Sequence, residues 1–280
     1  MNIAQFTSWL DSSNKRPLIM GILNVTPDSF SDGGKFISLR TGYNHAIKMI
    51  EEGADIIDIG GESNRPFSNP VSVQEELDRI LPILKKIRSK SDITISIDTT
   101  KAKVAKEALL NGANIINDIS GFSFDNQMIN VAQQFNCPIV LMHIKGDPKT
   151  MQINPSYENV VNEIKDYFVS KINFLKQSGI TKNNIILDPG IGFGKSVKDN
   201  FKILSNINEF VEMKYPILIG ASRKSFIGKT LDTDVQNRLE GSLAANLFAL
   251  QNGCHIFRVH DVVQTKRAFT IHNKILISKE

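Results

Sequence analysis

The sequence predicts an α/β protein built as a (β/α)8 TIM barrel, a single domain of residues 1–280 in which residues 1–16 precede the first barrel strand. Short apolar runs alternate along the chain with segments whose apolar residues recur at helical spacing. Eight such units fit within 280 residues, close to the ~250 residues typical of this barrel. A doubly wound open sheet alternates in the same way, but eight units favour a sheet that closes on itself.

The predicted strands are continuous runs rich in isoleucine, valine and leucine, without the apolar–polar alternation of a half-exposed sheet. Such strands are buried on both faces, as in a parallel sheet covered by helices. In chain order they span residues 18–23, 56–59, 93–97, 114–119, 139–142, 185–187, 217–219 and 255–259.

Two of the intervening segments show helical spacing most clearly, and their apolar positions would form one face packed on the barrel. These positions are Val104, Ala105, Ala108 and Leu109 in the first segment, and Val160, Val161, Ile164, Phe168, Ile172 and Leu175 in the second.

The composition bounds the class of protein. With 41% apolar and 22% charged residues the chain can bury one sizeable core. The net charge of +4 is carried by dispersed basic residues, so we expect no nucleic-acid partner. Residues 1–15 lack the apolar stretch of a secretion signal, and no run approaches the ~20 residues that span a bilayer. We therefore expect a cytoplasmic protein with no membrane partner.

The two cysteines, Cys137 and Cys254, lie beside apolar strands and lack the spacing of metal ligands. Buried thiols are the expected interpretation.

Three loops are unusual. Residues 24–34 and 60–70 are long and rich in turn-forming residues, which predicts two mobile flaps over one end of the barrel, although ordinary polar turns would have a similar composition. Residues 188–195 contain three glycines directly after the sixth strand, matching neither a P-loop nor a dinucleotide-binding motif. Glycines at these positions would permit positive φ angles and close approach of the main chain to a flat ligand.

Polar residues stand at the trailing end of most predicted strands, where the carboxyl ends of parallel strands meet at one rim and form the active site of such barrels. They are Asn24, Asp98, Asn117, Asp188, the trio Ser222, Arg223 and Lys224, and the triplet from Arg258 to His260.

The chemistry of these groups indicates three kinds of ligand group. Asp188 and Asn117 can accept and donate along the edge of a guanidine-like heterocycle, which suits a pterin. A second set of cations and an amide oxygen suits a diphosphate with its divalent ion, namely Arg65, Arg258 and His260 with Asn24. Lys224 and Ser225, at the start of the helix after the seventh strand, can hold a carboxylate.

Single residues also allow plainer interpretations. Asp98 could cap the next helix, Arg258 could pair with Asp261, and His260 could be a hydrogen-bonded structural imidazole. These alternatives explain each residue separately but not their shared position on one rim.

The chain resembles the dihydropteroate synthase family of folate biosynthesis. The resemblance rests on an ordered set of motifs, any one of which is only suggestive. They lie at residues 20–34, 60–63, 97–99, 116–119, 142–143, 188–195, 222–225 and 258–262.

The resemblance implies an SN1-like reaction in which (7,8-dihydropterin-6-yl)methyl diphosphate loses diphosphate and 4-aminobenzoate attacks the exposed methylene through its amine. The implied products are 7,8-dihydropteroate and diphosphate. Mg²⁺ is the implied cofactor, with Asn24 as its ligand, and sulfonamides are implied inhibitors.

The resemblance also assigns roles to individual residues. The implied catalytic residues are Asn24, Asp98, Asp188, Lys224 and Arg258. The implied pterin-binding residues are Asp98, Asn117, Met142, Asp188, Phe193 and Lys224, and the diphosphate-binding residues are Asn24, Arg65, Arg258 and His260. Phe30, Pro66, Lys224 and Ser225 correspond to the aminobenzoate pocket, and Asp32, Ser63 and Asn64 belong to the flaps.

The second flap departs from the family pattern Glu-Ser-Thr-Arg-Pro-Gly, since Asn64 replaces the threonine and Phe67 the glycine. A phenylalanine removes backbone freedom near the expected aminobenzoate entrance. We expect altered affinity for aminobenzoate and sulfonamides rather than lost activity.

Two other functions stay open from the sequence. A methyltetrahydrofolate corrinoid methyltransferase uses a related barrel but would not need the diphosphate set. A noncatalytic pterin-binding paralogue would be consistent with the altered second flap. The resemblance further suggests a homodimer formed through helices late in the chain, although Leu243, Leu247 and Leu250 could equally pack on the barrel.

Overall fold

Eight parallel strands form one sheet in the order β6-β5-β4-β3-β2-β1-β8-β7. The structure, a computed structural model, describes residues 1–26, 35–63, 68–148 and 150–278, and for residues 35–38 it describes the backbone alone. A parallel bridge between Leu187 and Ile217 joins the two ends of the sheet, β6 and β7. The sheet therefore closes into a barrel, and the predicted (β/α)8 fold is confirmed.

The strands are β1 Leu18–Asn24, β2 Ile56–Gly60, β3 Thr94–Asp98, β4 Ile115–Asp118, β5 Ile139–Met142, β6 Ile185–Asp188, β7 Leu218–Ile219 and β8 Ile256–Val259. The helices within the described residues are α1 Ile3–Asp11, α2 Lys35–Glu51, α3 Val73–Arg88, α4 Ala102–Leu110, α5 Met128–Phe135, α6 Val160–Gln177, α7 Val197–Ser205, α8 Ile207–Val211, α9 Ser225–Leu231, α10 Leu239–Gln251 and α11 Val262–Ile277.

The helices cover the outside of the barrel with the faces that their apolar spacing predicts. In α6, Ile164, Phe168 and Leu175 are fully buried. The helix begins after Asn159, whose side-chain oxygen accepts the backbone N–H groups of Val161 and Asn162 and so satisfies two donors that the first turn leaves unpaired. Burial of this face on the sheet supplies most of the stability of such a helix.

The interior of the barrel changes from apolar to polar along the strands. Side chains two residues apart point to the same face of a strand. In four strands an apolar residue in the buried cluster at the amino-terminal end is followed two positions later by a polar one. These pairs are Ile56 and Asp58, Ile115 and Asn117, Ile186 and Asp188, and Ile256 and Arg258. The barrel therefore has an apolar lower layer beneath a polar upper layer.

Helix α1 closes the amino-terminal end of the barrel. Its Phe6, Trp9 and Leu10 pack with the apolar lower layer, and Phe6 is fully buried. Asn2 caps the helix by accepting the Gln5 N–H group. The segment predicted as an extension before the first strand therefore contributes three side chains to the barrel core.

Both cysteines are buried free thiols, as the sequence predicts. Burial raises the pKa of the Cys137 thiol to about 12, so it stays protonated and unreactive at neutral pH. Across the described ranges, none of the helices combines the length and apolar character needed to cross a bilayer.

Candidate active site

Arg258 stands at the centre of the polar layer. Its Nε donates to Asp58 Oδ2 at 2.6 Å, and Nη2 donates to Asp98 Oδ2 at 2.7 Å. Asp58 is fully buried and Asp98 nearly so. Although desolvation opposes the charged form, the neighbouring Asp58 and Asp98 carboxylates keep the pKa of Arg258 above its ordinary value, so the guanidinium stays charged.

The structure decides between two of the alternatives left open by the sequence. Arg258 pairs with acids on β2 and β3, not with Asp261, which instead forms a two-point ion pair with Arg223 at 2.6 and 2.9 Å. The residue that precedes α4 as its N-cap is Lys101, so Asp98 does not cap that helix.

The amide of Asn117 lies against the same buried carboxylate. Its Nδ2 is 3.3 and 3.2 Å from the two oxygens of Asp58. Because a carboxylate only accepts hydrogen bonds, the nitrogen must be the atom that faces Asp58. The amide oxygen and the second N–H of Asn117 are then left for a ligand.

Asp188 ends β6 and accepts the Gly190 N–H group at 2.8 Å. Burial raises the pKa of this carboxyl to about 6, although the Gly190 N–H group and the cations Lys224, Lys195 and Arg258 act in the opposite direction. Asp188 is therefore an acceptor held in a dry site, and its charge would be better stabilised by a ligand that donates hydrogen bonds.

Lys224 extends over the ring of Phe193, with Nζ 4.0 Å from the ring centroid. Burial and the neighbouring Arg258 lower the pKa of Lys224 to about 8, against the opposing effect of Asp188 and Asp98. Phe193 forms a small apolar cluster with Met142, Ile119 and Met151. The predicted apolar walls, Met142 and Phe193, thus lie together beside the predicted cation.

The turn that presents Lys224 is firmly held. Arg223 adopts a left-handed conformation with φ of 56°, which is uncommon for a residue with a side chain. Its N–H donates to Ser242 Oγ at 2.9 Å, and its carbonyl accepts from Arg238 Nη1 at 3.0 Å. These bonds, with the ion pair to Asp261, fix the backbone between β7 and α9.

His260 follows β8 and faces Ser222, with Nδ1 3.0 Å from Ser222 Oγ, while the His260 N–H donates to the same hydroxyl. Part of the residue is exposed to solvent. Partial desolvation and the nearby Arg258 cation lower the pKa of this imidazole, so at neutral pH the ring is uncharged in the absence of an anion. The interpretation of His260 as a hydrogen-bonded imidazole and its predicted role in anion binding are compatible.

Asn24 ends β1 at the same level as these groups. It pairs in register with Gly60 of β2, which pairs with Asp98 of β3. A Cβ atom at Gly60 would lie 3.4 Å from the Cβ of Asp98, an ordinary van der Waals distance, so the ends of β2 and β3 lie side by side here. Asn24 is half-buried and presents an amide at the rim.

Among the described residues no group of three or more histidine, cysteine, aspartate or glutamate side chains is placed to hold a metal. Mg²⁺ commonly binds through one or two protein oxygens together with water and substrate phosphates. The amide oxygen of Asn24 fits such a donor set.

Lys195 is a buried lysine whose amine supports the glycine-rich loop. Its Nζ lies 3.0 Å from His143 Nδ1 and donates to the carbonyls of His143 and Phe193 at 3.2 and 2.9 Å. Burial lowers the pKa of Lys195 to about 7. It links the loop after β6 to the end of β5 and so holds Phe193 in place.

The glycines of this loop serve mainly to let it pack on the neighbouring loop. Gly190 and Gly194 have positive φ angles, and added Cβ atoms would lie 2.0 and 2.2 Å from the carbonyl oxygens of His143 and Lys145. Gly192 lies against the Lys224 side chain. The sequence predicted that these glycines let the main chain approach a flat ligand. At Gly190 and Gly194 the main chain instead approaches the backbone of the neighbouring loop.

Several predicted site residues fall outside the described residues, namely Phe30, Asp32, Asn64, Arg65 and Pro66, together with Phe67. Ser63 lies at the edge of the described part of the second loop, where its carbonyl accepts the Ser68 hydroxyl. Ser225 is the first residue of α9 and is exposed.

The sequence interpretation missed Asp58, which contacts both Arg258 and Asn117. An available signal was its position as the one acid within an otherwise apolar run of residues 56–59. A buried acid in such a run needs a partner, which points to a cation or amide elsewhere in the interior of the barrel.

An open cavity of about 360 Å³ lies at the opposite end of the barrel. Its lining includes Leu10, Lys15, Tyr215 and His255, and none of the predicted site residues. The polar rim and this cavity are therefore separate.

Comparison with known proteins identifies the family. The model of the pterin-binding enzyme family matches residues 20–260. The dihydropteroate synthase of Escherichia coli strain K12 is 46% identical over 277 residues, which cover 99% of this chain and 97% of that enzyme. The chain belongs to the dihydropteroate synthase family.

Solved structures of the family have the same fold. The Yersinia pestis dihydropteroate synthase with a sulfonamide drug is 42% identical with a TM-score of 0.88, covering 93% of this chain and 94% of that one. The Xanthomonas albilineans dihydropteroate synthase with 4-aminobenzoic acid is 39% identical with a TM-score of 0.88, covering 93% of each chain. The family resemblance seen in the motifs is thus confirmed over nearly the whole chain.

Proposed function

We propose that this protein is a dihydropteroate synthase, which condenses (7,8-dihydropterin-6-yl)methyl diphosphate with 4-aminobenzoate to give 7,8-dihydropteroate and diphosphate. The observation that carries the proposal is the convergence of Asn117, Asp188, Lys224 and Arg258 at one rim of the barrel. The extent of the similarity to known synthases supports the same reaction.

The pterin would lie between the apolar pair Met142 and Phe193 and the polar groups of the rim. Asp188 and Asn117 would bind its polar edge, because the ring carries N–H donors that match a carboxylate and an amide oxygen. Lys224 would donate to ring acceptors, and Asp98 would contact the ring from β3. Burial strengthens these hydrogen bonds, since water does not compete for them.

The leaving diphosphate would be held by Arg258, His260 and Arg65. The Arg258 guanidinium remains charged at every physiological pH. Mg²⁺ would be held by Asn24 together with diphosphate oxygens, and when bound it would supply Lewis-acid stabilisation of the leaving group. Each well-placed charge of this kind commonly contributes ~3 to 4 kcal/mol to the barrier reduction.

The aminobenzoate would bind beside the methylene, with its carboxylate near Lys224 and Ser225 and its ring near Phe30 and Pro66. In the SN1-like sequence the bond between the methylene carbon and the diphosphate oxygen breaks first. The amine of 4-aminobenzoate then forms the new carbon–nitrogen bond and releases a proton. The protein's part is to orient the two substrates and to stabilise the separating charges, with Asp32 a candidate to lie near the cationic methylene.

The order of binding follows from the two loops. If Arg65 holds diphosphate, binding of diphosphate orders the second loop and completes the aminobenzoate pocket. The affinity for 4-aminobenzoate should then rise when diphosphate and Mg²⁺ are present. Equal affinities with and without them, measured by calorimetry, would rule out this order.

Steady-state assay of the purified protein with the pterin diphosphate, 4-aminobenzoate and Mg²⁺ tests the function. A synthase releases diphosphate and forms dihydropteroate in equal amounts. A noncatalytic paralogue would bind pterin without releasing diphosphate. A corrinoid methyltransferase would instead bind methyltetrahydrofolate, and the match to curated synthases argues against it.

The partners of the protein are proposed on the same basis. Small-molecule substrates and sulfonamide inhibitors follow from the function, and known relatives have been solved with a sulfonamide drug and with 4-aminobenzoic acid. A homodimer formed through α10 and α11 is supported by exposed apolar side chains on both helices, among them Phe248, Ile271 and Ile275. The single domain, the cytoplasmic location and the absence of nucleic-acid and membrane partners stay predictions.

A further inference from the structure

We propose that Asp58 is a positioning residue of the pterin and diphosphate site, one that orients Arg258 and Asn117 without touching substrate. The proposal rests on the proposed function and adds a residue to it. Asp58 belongs to β2 and is fully buried in the interior of the barrel.

The Asp58 carboxylate has partners that compensate its burial. A fully buried carboxylate persists only where cations or hydrogen-bond donors compensate its desolvation. Asp58 has both, since Arg258 Nε donates to Oδ2 at 2.6 Å and Asn117 Nδ2 lies within 3.3 Å of both oxygens. These two partners are residues that the proposed mechanism uses directly.

The guanidinium of Arg258 is held at two of its three nitrogens. Its Nε and Nη2 are occupied by Asp58 and Asp98. Within the described part of the chain Nη1 has no hydrogen-bond partner. Because a guanidinium is planar, fixing two of its nitrogens fixes the direction of the third. Asp58 therefore helps to fix the direction in which the Nη1 group of Arg258 points.

The orientation of the Asn117 amide depends on the oxygens of Asp58. An acceptor-only group at position 58 forces the Asn117 nitrogen toward it and presents the amide oxygen elsewhere. Asparagine at position 58 would offer one acceptor and one donor group in place of two acceptors. Either Arg258 Nε or Asn117 Nδ2 would then face an N–H group, and the Asn117 amide would turn to avoid the conflict.

The substitution Asp58→Asn tests the proposal, because it keeps the size of the side chain and removes its charge. We expect kcat/KM for the pterin diphosphate to fall about 10- to 100-fold, the range found when groups that orient metal-binding side chains are removed. The affinity for 6-hydroxymethyl-7,8-dihydropterin, a pterin that cannot react, should fall to a similar degree. The KM for 4-aminobenzoate should change less than about threefold.

The matched control is Ser96→Ala. Ser96 pairs in register with Asp58 on β3, is fully buried, and its hydroxyl lacks a hydrogen-bond partner in the described part of the molecule. This variant should keep wild-type values for both substrates. Unchanged pterin affinity and kcat/KM in Asp58→Asn would overturn the proposal. It would also be overturned if Asp58→Asn and Ser96→Ala lost kcat/KM to the same degree for both substrates.

A measurement on the wild-type protein covers the case in which Asp58→Asn does not fold. The Arg258 Nε–H resonance, assigned in ¹⁵N NMR spectra by its loss in Arg258→Lys, should exchange with solvent at least about tenfold more slowly than that of the exposed Arg267. Equal exchange rates would contradict a fixed guanidinium. If the wild type forms no dihydropteroate, the proposed function fails. The Arg258 Nε–H exchange rate and the pterin affinity still test the role of Asp58 in that case.

Discussion

At the level of single residues, burial makes Asp188 costly for the folded state. Raising its carboxyl pKa from 3.8 to about 6 disfavours the charged form by about 3 kcal/mol. The folded protein binds this proton more tightly than the unfolded chain does, so the stability contribution falls as pH rises from about 4 to about 6. At neutral pH the charged Asp188 therefore lowers the free energy of unfolding by the full amount of about 3 kcal/mol.

The substitution Asp188→Asn should therefore stabilise the protein while removing activity. We expect the free energy of unfolding at pH 7 to rise by about 1 to 3 kcal/mol, less than the full cost because the amide accepts the Gly190 N–H group less strongly. Activity should fall at least about 100-fold. Urea unfolding and steady-state kinetics measure the two effects, and a destabilised variant at pH 7 would contradict the argument.

The pH dependence of kcat/KM for the pterin diphosphate should reflect the ionisation of two buried groups. Binding requires the Asp188 carboxylate and the Lys224 ammonium, whose pKa values lie at about 6 and about 8. We expect kcat/KM for the pterin diphosphate to decline below the first value and above the second. The variant Lys224→Arg should move the alkaline decline to higher pH, because guanidinium stays charged. If the alkaline decline stays at the same pH in this variant, the decline is caused by another group, such as Lys195.

At the level of secondary-structure elements, α1 is expected to stabilise the whole barrel. The substitution Phe6→Ala removes a fully buried ring from the lower layer. The free energy of unfolding should fall by about 3 to 5 kcal/mol. The control Ile3→Ala changes an exposed position on the same helix and should cost at most about 0.5 kcal/mol. Since α1 lies at the opposite end from the rim, kcat per folded molecule should be unchanged in both.

The second loop carries a prediction from the sequence alone. Replacing Phe67 by glycine restores the family pattern and the backbone freedom that accompanies it. We expect the KM for 4-aminobenzoate and the inhibition constant of a sulfonamide to change together by severalfold. The variant Asn64→Thr, which restores the other family residue, is the comparison. Unchanged constants in Phe67→Gly would contradict a role for this residue.

The sequence predicted the parts of the site that depend on strand ends. Asn24, Asp98 and Asp188 could be assigned to one rim because parallel strands end there whatever the details of their packing. The partner of Arg258 could not be predicted, since Asp58 lies 200 residues away and becomes a neighbour only when β8 pairs with β1 and β1 with β2. The nearer Asp261 was a plausible alternative, but Arg223 occupies it.

The role of α1 was equally hidden in the sequence. Residues 1–16 contain six apolar side chains, Met1, Ile3, Ala4, Phe6, Trp9 and Leu10, but nothing in their order shows which surface of the barrel they cover. The barrel end that Phe6, Trp9 and Leu10 fill exists only after all eight strands have closed. Local patterns thus specify elements, while the contacts between distant elements depend on the closed structure.

At the level of the whole molecule, we expect two copies to associate through α10 and α11. Ile271 and Ile275 are separated by one helical turn on α11 and are 62% and 59% exposed. The double variant with lysine at both positions should convert a dimer into a monomer in analytical ultracentrifugation. The control Ile153→Lys changes an equally exposed apolar residue far from these helices in the chain. A monomeric wild-type protein would contradict the proposal.

The closure of the barrel is uneven. Strand β7 has two residues, and one bridge between Leu187 and Ile217 joins it to β6, whereas β1 and β2 pair over five positions. A seam with so few hydrogen bonds should open before the rest of the sheet does, and deuterium should enter its amides first. Because Asp188 directly follows Leu187, a thermal fluctuation that parts this seam would loosen the wall of the substrate pocket while the opposite side of the cylinder stays intact.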